Sequence, residues 1–249
     1  MLPYLHLGPL LLQTTGLALL LGIWAGSWSA EKEAGKLNIK PDWVNNLIFI
    51  GLACGVVGAR LTYALTYLNA YLANPLNLLE INTNTLSPAG GIVFGLLAAF
   101  MYMQRKGLNL RPLLDALAPG LAVFMVFLGL AHLLSGDAYG APTNLPWAVF
   151  LTGDYRHPTQ IYEMLLAAGV TFIAFYFPPE KRGNGLNFLW VIFFSTAARV
   201  FIEAFRADSV ILAGGFRAAQ VVGLLVLAGL LILMRAWAQM PANAQERQS

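Results

Sequence analysis

Two short stretches concentrate the residues able to do chemistry. In "ARVFIEAFRAD", Arg199, Glu203 and Arg206 stand at i, i+4 and i+7 on one helical face, so Glu203 can pair with either arginine and one positive charge is left over. A guanidinium keeps its charge and binds phosphate bidentately, so the surplus suits a phosphate-bearing head group. In "RHPTQIYE", Pro158 favours the first turn of a helix, which puts Gln160 and Glu163 on a shared face just behind Arg156 and His157. His157, and His132 at the end of another apolar run, are the side chains able to take up a proton near neutral pH. Arg60, in "GVVGARLTY", is a further cation inside an apolar run, where it binds either a ligand or, structurally, neighbouring carbonyls or Glu163. Gly55, Gly58 and Ala59 beside it permit close helix approach. A structural reading also exists for the first stretch: an Arg199–Glu203 ion pair that joins helices, with Arg206 reaching for the membrane surface. The lone Cys54 lies in a hydrophobic run and can form neither an intramolecular disulfide nor a metal cluster, so no metal and no cofactor is expected.

The elements that must position these residues are membrane helices. Of 249 residues, 58% are hydrophobic and 11% charged, whereas a soluble domain carries roughly 25% charged residues. Apolar runs at about 9 to 28, 46 to 68, 86 to 104, 112 to 135, 158 to 178, 184 to 205 and 216 to 238 are long enough to cross a bilayer core. Their polarity does not alternate as barrel strands require. The expectation is an all-α integral membrane protein of about seven transmembrane helices: a single polytopic domain over 1–238 and a disordered tail over 239–249. The first run lacks a basic leader and reads as a span rather than a cleaved signal peptide.

Orientation follows from the basic residues, because positive loops stay in the cytoplasm. With the N-terminus outside and the C-terminus cytoplasmic, ten of the fifteen Lys and Arg fall on the cytoplasmic side and three, Arg156, Arg206 and Arg217, on the external side. The chemistry-bearing segments Ser135–Glu163 and Ala198–Asp208 then face outward. The pI near 9.1 reflects this topology and not a nucleic-acid partner.

In order along the chain, "HLGPLLLQTTGLALLLG", "GVVGARLTYAL", "SPAGGIVFG", "DALAPGLA", "SGDAYGAPTNLPW", "RHPTQIYE", "ARVFIEAFRAD" and "FRAAQVVGLLVLAG" resemble the prolipoprotein diacylglyceryl transferase family. That family moves diacylglycerol from phosphatidylglycerol onto a lipobox cysteine thiol. The resemblance covers nearly the whole chain. It implies a multi-pass protein of the bacterial cytoplasmic membrane, a phosphatidylglycerol-like partner and a lipoprotein precursor as acceptor. It also implies that Arg60, Gly140, Arg156, Gln160, Glu163, Arg199, Glu203 and Arg206 bind substrate. His132 or His157 would then take the thiol proton, with Asp137 orienting the histidine.

The sequence departs from the family pattern at several positions. Where the family has a tyrosine before a glycine in the first span, Thr15 precedes Gly16; where it has a histidine before paired glycines, Ala89 precedes Gly90 and Gly91. The family signature Gly-Arg-x-Gly-Asn-Phe-x-Asn-x-Glu-x-x-Gly meets "LGLAHLLSGDAYG". Its arginine falls on Gly129, its asparagines on His132 and Ser135, its glutamate on Asp137 and its last glycine on Gly140. Two readings follow: a divergent diacylglyceryl transferase, or a catalytically silent lipid-binding or accessory subunit of a larger membrane complex.

Overall fold

The computed structural model describes residues 4–7, 10–74, 76, 85–151 and 153–239. The described chain is mostly helical, and each apolar run coincides with a helix. These are α1 (Thr14–Lys36), α2 (Pro41–Thr66), α4 (Pro88–Arg105), α5 (Leu110–Ser135), α6 (Thr159–Phe175), α7 (Leu186–Glu203) and α8 (Ala218–Gln239), with a short α3 (Leu68–Ala73) after α2. By length and apolarity, α2, α5, α7 and α8 are able to cross a membrane, while α6 is apolar but only 17 residues long. The protein is therefore a helical membrane protein. Two antiparallel hairpins, β1 (Tyr4–Leu7) with β2 (Leu10–Gln13) and β3 (Val149–Leu151) with β4 (Asp154–Arg156), depart from the all-α expectation. The tail from 240 onward, expected to be disordered, lies outside the described residues.

Local chemistry explains where the helices start. Pro41 and Pro88 occupy first-turn positions, where the missing N–H costs nothing, and the Ser87 side chain accepts from Gly90 N to cap α4. The start of α7 is capped from another helix. Asp115 of α5, 1% exposed, accepts from the N–H groups of Gly183, Gly185 and Phe188 at 2.8, 2.9 and 3.1 Å. A carboxylate there meets both the orphan donors and the positive end of the α7 dipole. Gly185 just before α7 has a φ of 79° and a Cβ there would run into Trp237, so glycine alone fits the turn.

The helices form two compact units: α1 and α5 to α8 with both hairpins make the first, and α2 to α4 make the second. In the second unit, α2 and α4 approach through facing glycines. A Cβ on Gly55 would lie 3.2 Å from the Gly91 carbonyl oxygen, and one on Gly95 would lie 2.9 Å from that of Gly51. In the first unit α1 meets α5 in the same way at Gly26 and Gly120. Small residues allow this closeness, and van der Waals contact holds helices together where lipid removes the hydrophobic drive. Ala118, Ala122, Val170, Ala174 and Val191 then form a small-residue core where α5, α6 and α7 converge.

Helix α1 runs past the predicted end at Trp28 to Lys36 because its last turns are held by charge. Glu33, its side chain 3% exposed, lies 2.7 Å from Lys36 Nζ and 3.0 Å from Arg182 Nη1. Arg182 also donates to the Phe175 and Phe177 carbonyls, so it closes the C-terminus of α6 while tying the α6–α7 turn to α1.

Candidate functional site

The polar residues of the first unit gather at one end, where α5 and α7 finish and α6 and α8 begin. The loop after α5 is held there by main-chain pairing on both sides. Ala141 N donates to Phe205 O and Ala207 N to Tyr139 O, while His157 N donates to Ala141 O and Thr143 N to Tyr155 O. The segment 139–143 thus lies between the end of α7 and the strand β4 as a short middle strand, with Gly140 opposite Arg206 and Pro142 opposite Arg156. Gly140 must be glycine, because a Cβ would overlap the His157 carbonyl oxygen and sit 2.6 Å from the His157 Cβ.

The first turn of α6 fastens the same loop through side chains. Thr159 Oγ1 donates to Ala138 O at 2.6 Å and Gln160 Nε2 to Asp137 O at 2.9 Å. Gln160 is fully buried and, among the described residues, its Oε1 has no hydrogen-bond partner. Arg156 spends two donors on the loop, Nε to Leu151 O and Nη1 to Gly140 O, each at 3.2 Å, and its guanidinium lies over the Tyr139 ring. His157 places its ring 5.2 Å from that of Phe205, with Nδ1 3.5 Å from the Tyr162 hydroxyl, which accepts from Trp147 Nε1.

The arginines at the end of α7 divide their work. Arg199 Nη2 lies 3.0 Å from Glu203 Oε2, close enough for an ion pair although not aligned as a hydrogen bond. Glu203 is 2% exposed and Arg199 is 44% exposed, so the carboxylate is held inside while the cation opens outward. Arg206 grips Asp208 bidentately through Nε and Nη2, so its fork is occupied by that carboxylate and not by Glu203. Arg217, from the turn before α8, donates to Ser209 Oγ and to the carbonyls of Arg206 and Glu203, which closes the C-terminus of α7. Three arginines against two carboxylates leave this cluster with one positive charge, and Arg199 is the cation facing out.

His132, in the last turn of α5, turns Nδ1 to Glu163 Oε2 at 2.8 Å. Asp137, expected to orient a histidine, is exposed; its N–H donates to Ser135 Oγ and its carbonyl receives Gln160. The carboxylate on His132 is therefore Glu163. In the second unit Arg60 of α2 donates to Thr85 O at 3.2 Å and its guanidinium lies 5.8 Å from the Tyr71 ring. Among the described residues no group of three or more His, Cys, Asp or Glu could hold a metal ion.

The prolipoprotein diacylglyceryl transferase family model matches residues 3–235. The chain belongs to the prolipoprotein diacylglyceryl transferase family. Relatives named phosphatidylglycerol–prolipoprotein diacylglyceryl transferase include one from Clostridioides difficile, 30% identical over 214 residues with 86% of each chain covered. Another, from Gloeobacter violaceus, is 31% identical over 239 residues, covering 87% of this chain and 88% of its own. A Bacillus cereus relative is 27% identical over 246 residues, covering 93% and 90%.

Membership in the family makes the departures informative. At Gly129, where the family signature has arginine, a Cβ would lie 2.8 Å from Met164 Cγ and 3.1 Å from Met164 N. The position is a seam between α5 and α6 with no room for a guanidinium. Ala89, at the place of the family histidine, is exposed in the first turn of α4, and the neighbouring Gly90 lies against Thr62 of α2. Sequence reasoning missed the connecting residues. Arg217 and Tyr162 bond partners 14 and 15 residues away and Asp115 bonds Gly183, 68 residues away; only Asp115, an acid inside an apolar run, gave a visible signal.

Proposed function

We propose that this protein transfers diacylglycerol from phosphatidylglycerol to the cysteine thiol of a lipoprotein precursor. The observation that carries the proposal is the retained polar end of the first unit, in which Arg199 faces out beside a buried Glu203 in a chain that belongs to a diacylglyceryl transferase family. In the reaction the thiol sulfur forms a bond to the glyceryl carbon and that carbon's bond to the phosphate oxygen breaks. The electron pair leaves on glycerol phosphate and the thiol proton goes to a base.

Arg199 is the head-group ligand in this reading: a guanidinium with one partner on Glu203 has donors to spare for phosphate, and its charge opposes that which builds on the leaving oxygen. The remaining donors of Arg156 serve the same phosphate, while the unpaired Oε1 of Gln160, an acceptor, serves a hydroxyl of the glycerol head group. Gly140, Glu203 and Arg206 contribute by holding the loop and the end of α7 in place. Arg60, in the second unit, is assigned to lipid separately, because a cation within α2 suits an anionic ligand.

The chain crosses the bacterial plasma membrane seven times in this reading, as one polytopic domain over 1–238 with its N-terminus outside, its C-terminus cytoplasmic and the tail from 239 disordered. The ten-to-three excess of Lys and Arg on the cytoplasmic side supports that orientation. A second reading, a silent lipid-binding or accessory subunit of a larger complex, is favoured by Ala89 and Gly129, which stand where the family carries a histidine and an arginine.

The two readings separate in a strain depleted of its own transferase, with lipobox peptide mass as the readout. A peptide heavier by one diacylglyceryl group supports the enzyme. An unmodified peptide at high expression, with the protein co-migrating with partner subunits, supports the accessory role and overturns the enzyme.

A further inference from the structure

The seam between α5 and α6 places a histidine and a carboxylate together. Gly129 lets the α6 backbone approach at Met164, and one turn further along α5 His132 meets Glu163, the residue before Met164. An ionised carboxylate only accepts, so the hydrogen of the 2.8 Å contact sits on Nδ1 and the lone pair of the neutral ring is on Nε2. Among the described residues nothing bonds Nε2, and the two side chains are 29% and 23% exposed. The ring is thus fixed at one nitrogen and open at the other, which is the arrangement a general base needs.

We infer that His132 is the base that removes the proton from the acceptor thiol, and that Glu163 is the positioning residue that fixes the ring's tautomer and direction. The inference rests on the transferase reading above. The thiol proton passes to His132 Nε2 as the sulfur–carbon bond forms and the carbon–oxygen bond to phosphate breaks. Glu163 stabilises the imidazolium so formed, and the ring then gives its proton to the departing glycerol phosphate or to water. His157 fits this role less well, because its Nδ1 faces the neutral Tyr162 hydroxyl at 3.5 Å and, among the described residues, no carboxylate is there to stabilise an imidazolium. Asp137 is exposed, and it meets Gln160 through its main chain. The family pattern has asparagine at the place of His132, so the base proposed here belongs to this chain's own residues.

The test is steady-state transfer by the full-length protein in nanodiscs containing phosphatidylglycerol, with a lipobox peptide as acceptor. His132→Ala should lower kcat by about a hundred- to ten-thousand-fold, with KM for the lipid nearly unchanged, and free imidazole added to the assay should restore part of the rate. Glu163→Gln should lower kcat by at least about tenfold in the wild-type background and by almost nothing in the His132→Ala background, because it acts through the ring. Should His132→Ala fail to fold, as read by its melting temperature, His132→Gln replaces it. A wild-type protein that transfers while folded His132→Ala retains kcat within about threefold overturns the dyad and leaves the transferase reading intact. So does a loss that imidazole does not relieve and that Glu163→Gln multiplies. A wild-type protein with no transfer overturns both.

Discussion

At Gly140 a single added methyl group would enter the space of the His157 carbonyl, and at Gly129 it would enter that of Met164. Overpacking of this kind costs about 1–3 kcal/mol when backbone must move. Gly140→Ala should therefore lower the detergent melting temperature and loosen the loop that Arg156 and Arg206 hold, with transfer falling in parallel. Gly129→Arg, which restores the family's residue type, should destabilise the protein and bring no gain in transfer rate, as measured by the peptide mass assay. Arg199 behaves differently, because it is 44% exposed and has one ionic partner. Arg199→Lys keeps the charge that neutralises Glu203 but loses the planar fork, so retained phospholipid per protein, counted by mass spectrometry, should fall while the melting temperature stays near that of wild type. Equal lipid retention in both proteins would reduce Arg199 to a partner of Glu203.

Between elements, the strongest ties are carboxylates that reach across helices. Asp115 holds three N–H groups at the start of α7, and the Glu33–Arg182 pair ties α1 to the turn between α6 and α7. Asp115→Ala leaves three donors without their acceptor, which should cost about 2–3 kcal/mol of unfolding free energy, and Asp115→Asn, which keeps one carbonyl oxygen, should lie between the two. Reversible denaturation in mixed micelles reads both. Glu33→Gln removes a buried charge that Arg182 and Lys36 share, and breaking such a pair costs roughly 3–5 kcal/mol. Both changes sit at the opposite ends of α5 and α1 from the candidate site, so in whatever fraction stays folded the KM for lipid should match wild type.

For the molecule as a whole, the proposed orientation makes a prediction about access. Replacing Cys54, the single cysteine, with alanine clears the background for new cysteines. Asn144→Cys, exposed in the loop after α5, should react with a membrane-impermeant maleimide in intact spheroplasts, and Lys181→Cys, exposed in the α6–α7 turn, only after permeabilisation. The reverse pattern would invert the topology and separate the candidate site from a substrate displayed on the outer face.

The amino-acid sequence by itself determined that the chain is a helical membrane protein and which family it belongs to. Both properties are written in contiguous runs: apolar length sets the helices, proline and serine set their starts, and ordered motifs carry the family pattern. It also marked the polar segments, since charge inside or beside an apolar run is costly enough to stand out. Tertiary structure decided the partners. His132 and Glu163 are 31 residues apart, and Asp115 and Gly183 are 68 apart. Such pairings depend on how each helix is rotated about its axis and how closely its neighbour approaches, and periodicity alone states neither. Spacing allowed Glu203 either arginine; the turn to Asp208 claimed Arg206 and left Arg199. Likewise Asp137 was the acid near His132 in sequence, but the seam at Gly129 brought Glu163 to the ring instead.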